Sequence, residues 1–318
     1  MSYLPVELHC HTVHSDGGFT VSELQHAAAE DHLSLIALTD HNTFSGVGEL
    51  DENICPFVRG IEWTTYFGHL LVLGARSFVD WRNATPDNID EKIKEIHAAG
   101  GVAGIAHPFQ LGSPMCTGGR WEFNIRNWRN VDYIEIWHEA FSESNFENDL
   151  AMQLWTALLD RGYHICATYG RDWHRPSDSN RHYGCTYLHY ENGIATEQGT
   201  LRAIRLGKTV VSTGAKLIFR VHRLGKAYGL GATIPKGNVT FSFFTDLHSR
   251  EKNAGKEAIE YETIRIVSNG GKTVLEARCD ERHVRLKIEA GRWYRAELWG
   301  TVNGKRKILA VTSPVYCE

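Results

Sequence analysis

Residues 7–18 read ELHCHTVHSDGG, with three histidines, a glutamate and an aspartate in twelve positions. His9 and His11 are two apart in a run that reads as a strand, and alternate strand residues face the same side. Cys10 then faces the other way, into packing. Asp16 follows in a loop, ahead of Gly17 and Gly18, which let the chain fold back toward the strand end. The same residue types recur downstream: Asp40 and His41 in TDHN, Glu62 in GIEW, His69 in GHLLVLG, His107 in IAHP, and Asp172 and His174 in RDWH. Most fall at the C-terminal end of a predicted strand; His69 falls near the start of one. Nitrogen and oxygen donors without cysteine suit manganese, zinc or iron. A single His-x-His is a weak signal, but such donors at successive strand ends are a strong one.

The elements that must carry these residues alternate. Apolar runs predict strands over 4–10, 35–39, 56–62, 68–74, 102–106, 132–137, 164–168 and 184–190. Amphipathic stretches predict helices over 20–32, 86–99, 146–161 and 196–206. Thr20 opens a Thr-x-x-Glu capping box, and Gly100, Gly162 and Gly207 stand where three of the helices should stop. Alternating β and α units predict a mostly parallel sheet with outer helices, closed or nearly closed as a barrel, its site at the C-terminal strand ends. From about residue 217 the pattern becomes strand and turn, which predicts a small antiparallel β-sandwich, or a sheet packed on the barrel. Residues 1–216 and 217–318 are therefore read as two domains. His222, His248 and His283 in the second are isolated and read as surface residues.

Composition narrows the function. Hydrophobic residues form 42% of the 318, enough for a sizeable core, and no apolar run is long enough to span a membrane. The net charge of −4 argues against a long nucleic-acid partner, which draws on a Lys/Arg excess. The seven cysteines are scattered without a CxxC pair, and the first residues lack the pattern of a signal peptide. A reducing cytoplasm is the expected compartment. Oligomeric state is not legible.

Taken in order, HCHTVHSDG, LTDHNT, GIEW, the histidine of GHLLVLG, IAHP and RDWH resemble the motifs of the polymerase and histidinol phosphatase (PHP) family of metal-dependent phosphoesterases. The resemblance spans residues 9–174. It implies a distorted seven-stranded (β/α)7 barrel, followed by a small antiparallel β domain similar to the extension of the carbaryl-hydrolase-like branch. It also implies three divalent ions: His9, His11, Glu62 and Asp172 around the first, Asp16, His41 and His174 around the second, and His69 and His107 around the third with Glu62 bridging. Six neutral imidazoles and three carboxylates leave three such ions about three charges positive, by formal counting. A phosphate dianion with a hydroxide balances that; a neutral carbamate does not. The implied reaction is attack of a metal-bridging hydroxide on a small phosphoester of the nucleotide or sugar-phosphate type. The alternatives are a carbamate or carboxylic-ester hydrolase, a short-oligonucleotide exonuclease and a non-catalytic metal-binding module.

Several residues stand beside this set. Asp40 adjoins His41 and is a candidate to take a proton or, preferably, to support a ligand from behind. Arg171 is a candidate phosphate ligand, with a structural ion pair as its competing reading. His138, after DYIEIW, is a candidate general acid or substrate donor, or a structural histidine. His14 fits the ligand set less well than Asp16. Arg120, Trp121 and Trp128 lie in a long segment that either shapes substrate choice or plugs the barrel. His164 begins a strand, at the wrong end for the site. Arg181 and His182 are weak candidates to reach it from a loop.

Overall fold

The structure, a computed structural model, describes residues 2–112, 119–139, 146–177, 184–250 and 257–318. The first part contains β1 (Tyr3–Cys10), α1 (Val21–Glu30), β2 (Ile36–Leu38), β3 (Phe57–Thr65), β4 (Gly68–Leu73), α2 (Ile89–Ala98), β5 (Val102–Ile105), β6 (Tyr133–His138), α3 (Phe146–Asp160), β7 (Cys166–Gly170), β8 (Cys185–His189), α4 (Glu197–Arg205) and β9 (Thr209–Ser212). Thr20 caps α1 as expected: its hydroxyl accepts from the Glu23 amide, and the Glu23 carboxylate accepts from the Thr20 amide. Gly100, Gly162 and Gly207 follow their helices at positive φ, where a Cβ would be strained.

The sheet is mixed rather than mostly parallel. β1, β2 and β3 run parallel, β4 is antiparallel to both neighbours, and β5, β6 and β7 run parallel again. The physical reason is the link between β3 and β4, which has room only for Tyr66 and Phe67. So short a link can join antiparallel strands but not parallel ones. Because β4 runs backwards, its beginning lies where β3 ends, and His69 pairs with Thr64. A histidine at the start of its strand thus reaches the same rim as Glu62.

The run from β1 to β7 curls back on itself. Just past β7, Trp173 donates its amide to the His9 carbonyl at 3.0 Å and accepts from the His11 amide at 2.9 Å, forming a parallel bridge to Cys10. Cys10 is buried in the core beside it.

The second part contains β10 (Lys216–Arg223), β11 (Lys226–Tyr228), β12 (Thr233–Ile234), β13 (Gly237–Asp246), β14 (Ile259–Ser268), β15 (Lys272–Arg278), β16 (His283–Ile288), β17 (Trp293–Val302), β18 (Lys305–Thr312) and β19 (Val315–Cys317). Strands β11-β10-β13-β16 form one sheet. The others join the first part's sheet, because β18 pairs with β9, a strand the sequence reading left out. Phe219 and Phe241 of the four-stranded sheet share a core cluster with Tyr294, Ala296 and Leu298 of β17, and with Phe19 and Leu24 of the first part. Hydrogen bonding and core are both continuous across residue 216. A buried ionic contact adds to them: Arg250 donates to the Asp31 carboxylate and carbonyl at 3.0 and 2.9 Å. No helix among the described residues is long and apolar enough to cross a membrane.

Trp173 is 1% exposed and meets Phe19 edge-on at 5.3 Å. Trp173→Ala should therefore destabilise the protein by about 3–5 kcal/mol, read as a shift in the urea unfolding midpoint. A loss under about 1 kcal/mol would mean this contact does not hold the strands together.

Candidate metal centre

Three groups of donors lie side by side at the rim formed by the ends of β1, β2, β3 and β7 and the start of β4. His9, His11, Glu62 and Asp172 form the first; Asp16, His41 and His174, with His11 added, the second; Glu62, His69 and His107 the third. All nine residues expected from the sequence are brought together. In the first group the His9 and His11 Nε2 atoms lie 3.3 Å from Glu62 Oε2, and 3.3 and 3.0 Å from Asp172 Oδ1. Tetrahedral ligands with bonds of roughly 2.1 Å stand about 3.4 Å apart, so the spacing suits one ion among them. In the third group Glu62 Oε1 is 2.9 Å from His69 Nδ1 and 3.1 Å from His107 Nε2. In the second, Asp16 Oδ1 is 3.1 Å from His174 Nε2 and 3.4 Å from His41 Nε2.

The fit to cations rests on atoms left without partners. His9 Nε2, both ring nitrogens of His11, Glu62 Oε2, His107 Nδ1 and Asp172 Oδ1 are buried and make no hydrogen bond. Such atoms are costly unless an ion or water satisfies them, and half of those among the described residues lie in these adjoining donor groups.

Backbone strain marks the same place. Asp172 and His107 have φ of 49° and 22°, in or near the left-handed region. Each costs on the order of 1–3 kcal/mol and persists only where the surroundings impose it. The loop after β1 is equally constrained: a Cβ on Gly17 would lie 2.5 Å from the His11 carbonyl carbon.

The ionisable groups of the centre shift one another's pKa values. Burial opposes a charged His9, but Glu135, Glu62 and Asp172 outweigh it and hold its pKa well above the usual imidazole range. Burial likewise opposes the Glu62 carboxylate, and His9, His69, His107 and His41 hold it well below. His11, where burial prevails, is lowered to about 4. At His174 burial is overcome by Asp16 and Asp172, which raise it to about 9. The hydrogen bond from His174 takes Asp16 down to about 2.

Two candidates have partners in the framework. Asp40 Oδ1 accepts from the Thr12 amide at 2.7 Å and the Ser15 hydroxyl at 2.6 Å, and Oδ2 accepts from the Thr12 hydroxyl at 2.7 Å. It fastens the loop that carries Asp16. The Arg171 guanidinium donates to Asp31 at 2.9 Å, stacks 3.8 Å above the Trp173 ring and is 3% exposed, an ion pair of the kind given as its competing reading. Strand alternation turns it away from Asp172.

His138 is at the centre, with Nε2 3.2 Å from Asp172 Oδ2, and forms a further donor group with His107 and Asp172. His14 stays outside, on Ser45 and Glu49. Trp121 and Trp128 pack on the core; Arg120 is exposed, as are His222, His248 and His283. His164 stacks on Tyr316, away from the rim. Arg181 and His182 lie outside the described residues.

Two carboxylates were missed. Glu135 accepts from His9 Nδ1 and the His107 amide, both at 3.0 Å, which fixes His9 with Nε2 toward the other ligands. Glu7 accepts from the amides of Leu8, His9 and Arg171 at 2.9–3.0 Å, and burial pushes it up to about 7. Glu7 was findable, two residues before His9 on the same strand face. Glu135 was hidden by a register shift between Glu135 and Trp137, which lets both Glu135 and His138 reach the centre.

No protein-family model matches the chain, and no curated protein sequence matches it. Solved structures do. A two-domain protein from Bacteroides vulgatus, described as containing a predicted PHP-like metal-dependent phosphoesterase, is 16% identical with a TM-score of 0.53, over 98% of this chain and 96% of that one. The fold is PHP-like. An amidohydrolase from Chromobacterium violaceum (18% identity, TM-score 0.37, 63% of this chain and 96% of that one) and a lesion-specific endonuclease from Pyrococcus furiosus (16%, 0.42, 66% and 58%) also match in part. On this PHP-like scaffold, the clustered His, Asp and Glu side chains are suited to holding several metal ions.

Gly170 leaves the space Glu135 needs, since a Cβ there would lie 1.9 Å from Glu135 Oε1. Gly170→Ala should displace that carboxylate and weaken metal binding by about 10–100-fold, measured by competition with a chromogenic chelator; unchanged affinity would remove Glu135 from the ligand network. In the metal-free protein, the His174 contribution to stability is fully present below the ordinary imidazole pKa and is lost as pH rises through about 9. The Asp16 contribution is present above its ordinary value and is lost as pH falls toward 2. Asp16→Asn should flatten both limbs of the stability–pH curve and bring the His174 pKa, followed by NMR, back toward 6.5.

Proposed function

We propose that this protein is a metal-dependent hydrolase of small phosphoesters of the nucleotide or sugar-phosphate type. The observation that supports this reading best is the convergence of partnerless buried donors on adjoining groups that share Glu62. His9, His11, Glu62 and Asp172 would hold one divalent ion, Asp16, His41 and His174 a second, and His69, His107 and Glu62 a third, as manganese, zinc or iron(II). Ions bound there would supply Lewis-acid stabilisation of negative charge and a lowered pKa for water.

The chain's own contribution is placement. Glu62 offers one carboxylate oxygen to each of two groups and so sets their separation. Glu135 holds the His9 proton at Nδ1. The clamp of Asp40 on Thr12 and Ser15 keeps Asp16 over the rim. His138, hydrogen-bonded to Asp172, is the substrate-facing donor in this reading. Three ligand carboxylates and Glu135 against three divalent ions leave about two positive charges by formal counting, which suits a phosphate dianion. The same proposal assigns catalysis to residues 1–216, treats 217–318 as a second unit of the carbaryl-hydrolase-like kind, and places the protein in a reducing cytoplasm, in keeping with the free cysteines among the described residues.

The manganese-loaded protein should hydrolyse p-nitrophenyl phosphate or a mononucleotide. Glu62→Gln should lower kcat/KM at least about 100-fold and reduce the metal content. A phosphoester panel left untouched while naphthyl carbamates are cleaved would overturn the substrate class. Activity and metal content that both survived Glu62→Gln would overturn the shared-ligand centre.

A further inference from the structure

The net charge of −4 averages over a polarised molecule. The four-stranded sheet of β10, β11, β13 and β16 carries six Lys or Arg residues (Lys216, Arg220, Arg223, Lys226, Arg285, Lys287) against one acid, Asp246. The remainder of the chain is correspondingly more acidic.

Strand alternation sorts these residues by face. Leu217, Phe219 and Val221 of β10, Val239, Phe241 and Phe243 of β13, and Val284 and Ile288 of β16 are buried. The opposite face is exposed at His222, Asn238, Phe244, His283, Arg285 and Lys287, with Ile218 and Ser242 buried on it, and its register is regular. Arg220, Ser242 and His283 lie in one row across the three strands, and His222, Thr240 and Arg285 in the next; Asn238 and Lys287 pair in a third. Each row sets a hydroxyl or amide side chain between or beside cationic or imidazole groups, and no carboxylate belongs to any of the three. Neither Arg285 nor Lys287 makes an ion pair among the described residues. His222, Thr240, Arg285 and Lys287 line a depression of 550 Å³. Successive rows stand roughly 6.8 Å apart, and β10 and β16 lie about 10 Å apart across β13. Phe244 is 46% exposed at one end of the same face. None of these residues belongs to the metal-ligand groups.

Concentrating like charges on one sheet face is unfavourable unless an anion meets them. We propose that this outward face is a docking surface for single-stranded nucleic acid, separate from the metal centre. The phosphates run along β16 and β13, where Arg285 and Lys287 neutralise them and His222, Asn238 and Thr240 supply hydrogen bonds. Phe244 offers a base a stacking surface. A flexible single strand follows a twisted sheet over these few rows better than a stiff duplex or a flat lipid surface does. The docked strand is a tether and does not enter the hydrolytic reaction.

The test is fluorescence polarisation of a labelled 15-nucleotide oligo-dT with the full chain in EDTA, which keeps the metal centre from contributing. Binding at 50 mM salt should weaken with a log–log slope of about −1.4, for two phosphate contacts. Arg285→Glu/Lys287→Glu should weaken it at least tenfold. The same double variant, reloaded with manganese, should hydrolyse p-nitrophenyl phosphate as the parent does; this keeps failure of the docking proposal distinct from failure of the hydrolase reading. Arg285→Ala/Lys287→Ala, with an unchanged thermal transition, guards against misfolding. Absence of binding at 50 mM salt, binding indifferent to both variants, or binding to phosphatidylserine vesicles in place of the oligonucleotide would each overturn the proposal.

Discussion

A fully buried carboxylate, Glu62, is the constraint around which the rest is arranged. One oxygen faces His69 and His107, and the other faces His9, His11 and His41. An isolated carboxylate out of water costs several kcal/mol, so the surrounding residues must supply positive charge and donors from every side. Imidazoles contribute to this: the surrounding carboxylates hold the His9 pKa above the usual range against burial, whereas burial prevails at His11. Divalent ions would take those nitrogens unprotonated.

Holding so many polar groups at one rim takes scaffolding from well beyond it. The closure of β1 against the chain at Trp173 fixes the spacing of His9 and His11 to Asp172 and His174. Behind Trp173, Arg171 and Arg250 meet on Asp31, linking α1, the end of β7 and the segment after β13. The guanidinium beside Asp172 is thereby part of the framework. The left-handed backbone at His107 and Asp172 is what such over-determined surroundings can sustain.

Much of this was legible beforehand because the signals are local. His-x-His on a strand, a capping box at Thr20 and glycines after the helices each depend on neighbours a few residues away. The ligands were recognisable as strand-end residues, and Glu7 could have been found by the same period-two rule. The partners of Asp40 and Arg171, namely Thr12, Ser15 and Asp31, were not legible because they are distant in sequence or on another element. Glu135 was missed because one register shift defeats strict alternation. Strand β9 was missed because its four residues carry little pattern of their own, and its place is set by β8 and β18.

The sequence by itself determined which residue types were available and which strand faces presented them, because side-chain direction along a strand follows from backbone geometry alone. It also determined that nitrogen and oxygen donors, not thiolates, would form the centre. Tertiary structure decided which donors share an ion-sized space, because that depends on strand order, on the reversed direction of β4 and on the closure at Trp173. It also decided where charge accumulates. A net charge is a sum over the chain, whereas the cationic face of the four-stranded sheet exists only once β10, β13 and β16 lie in register.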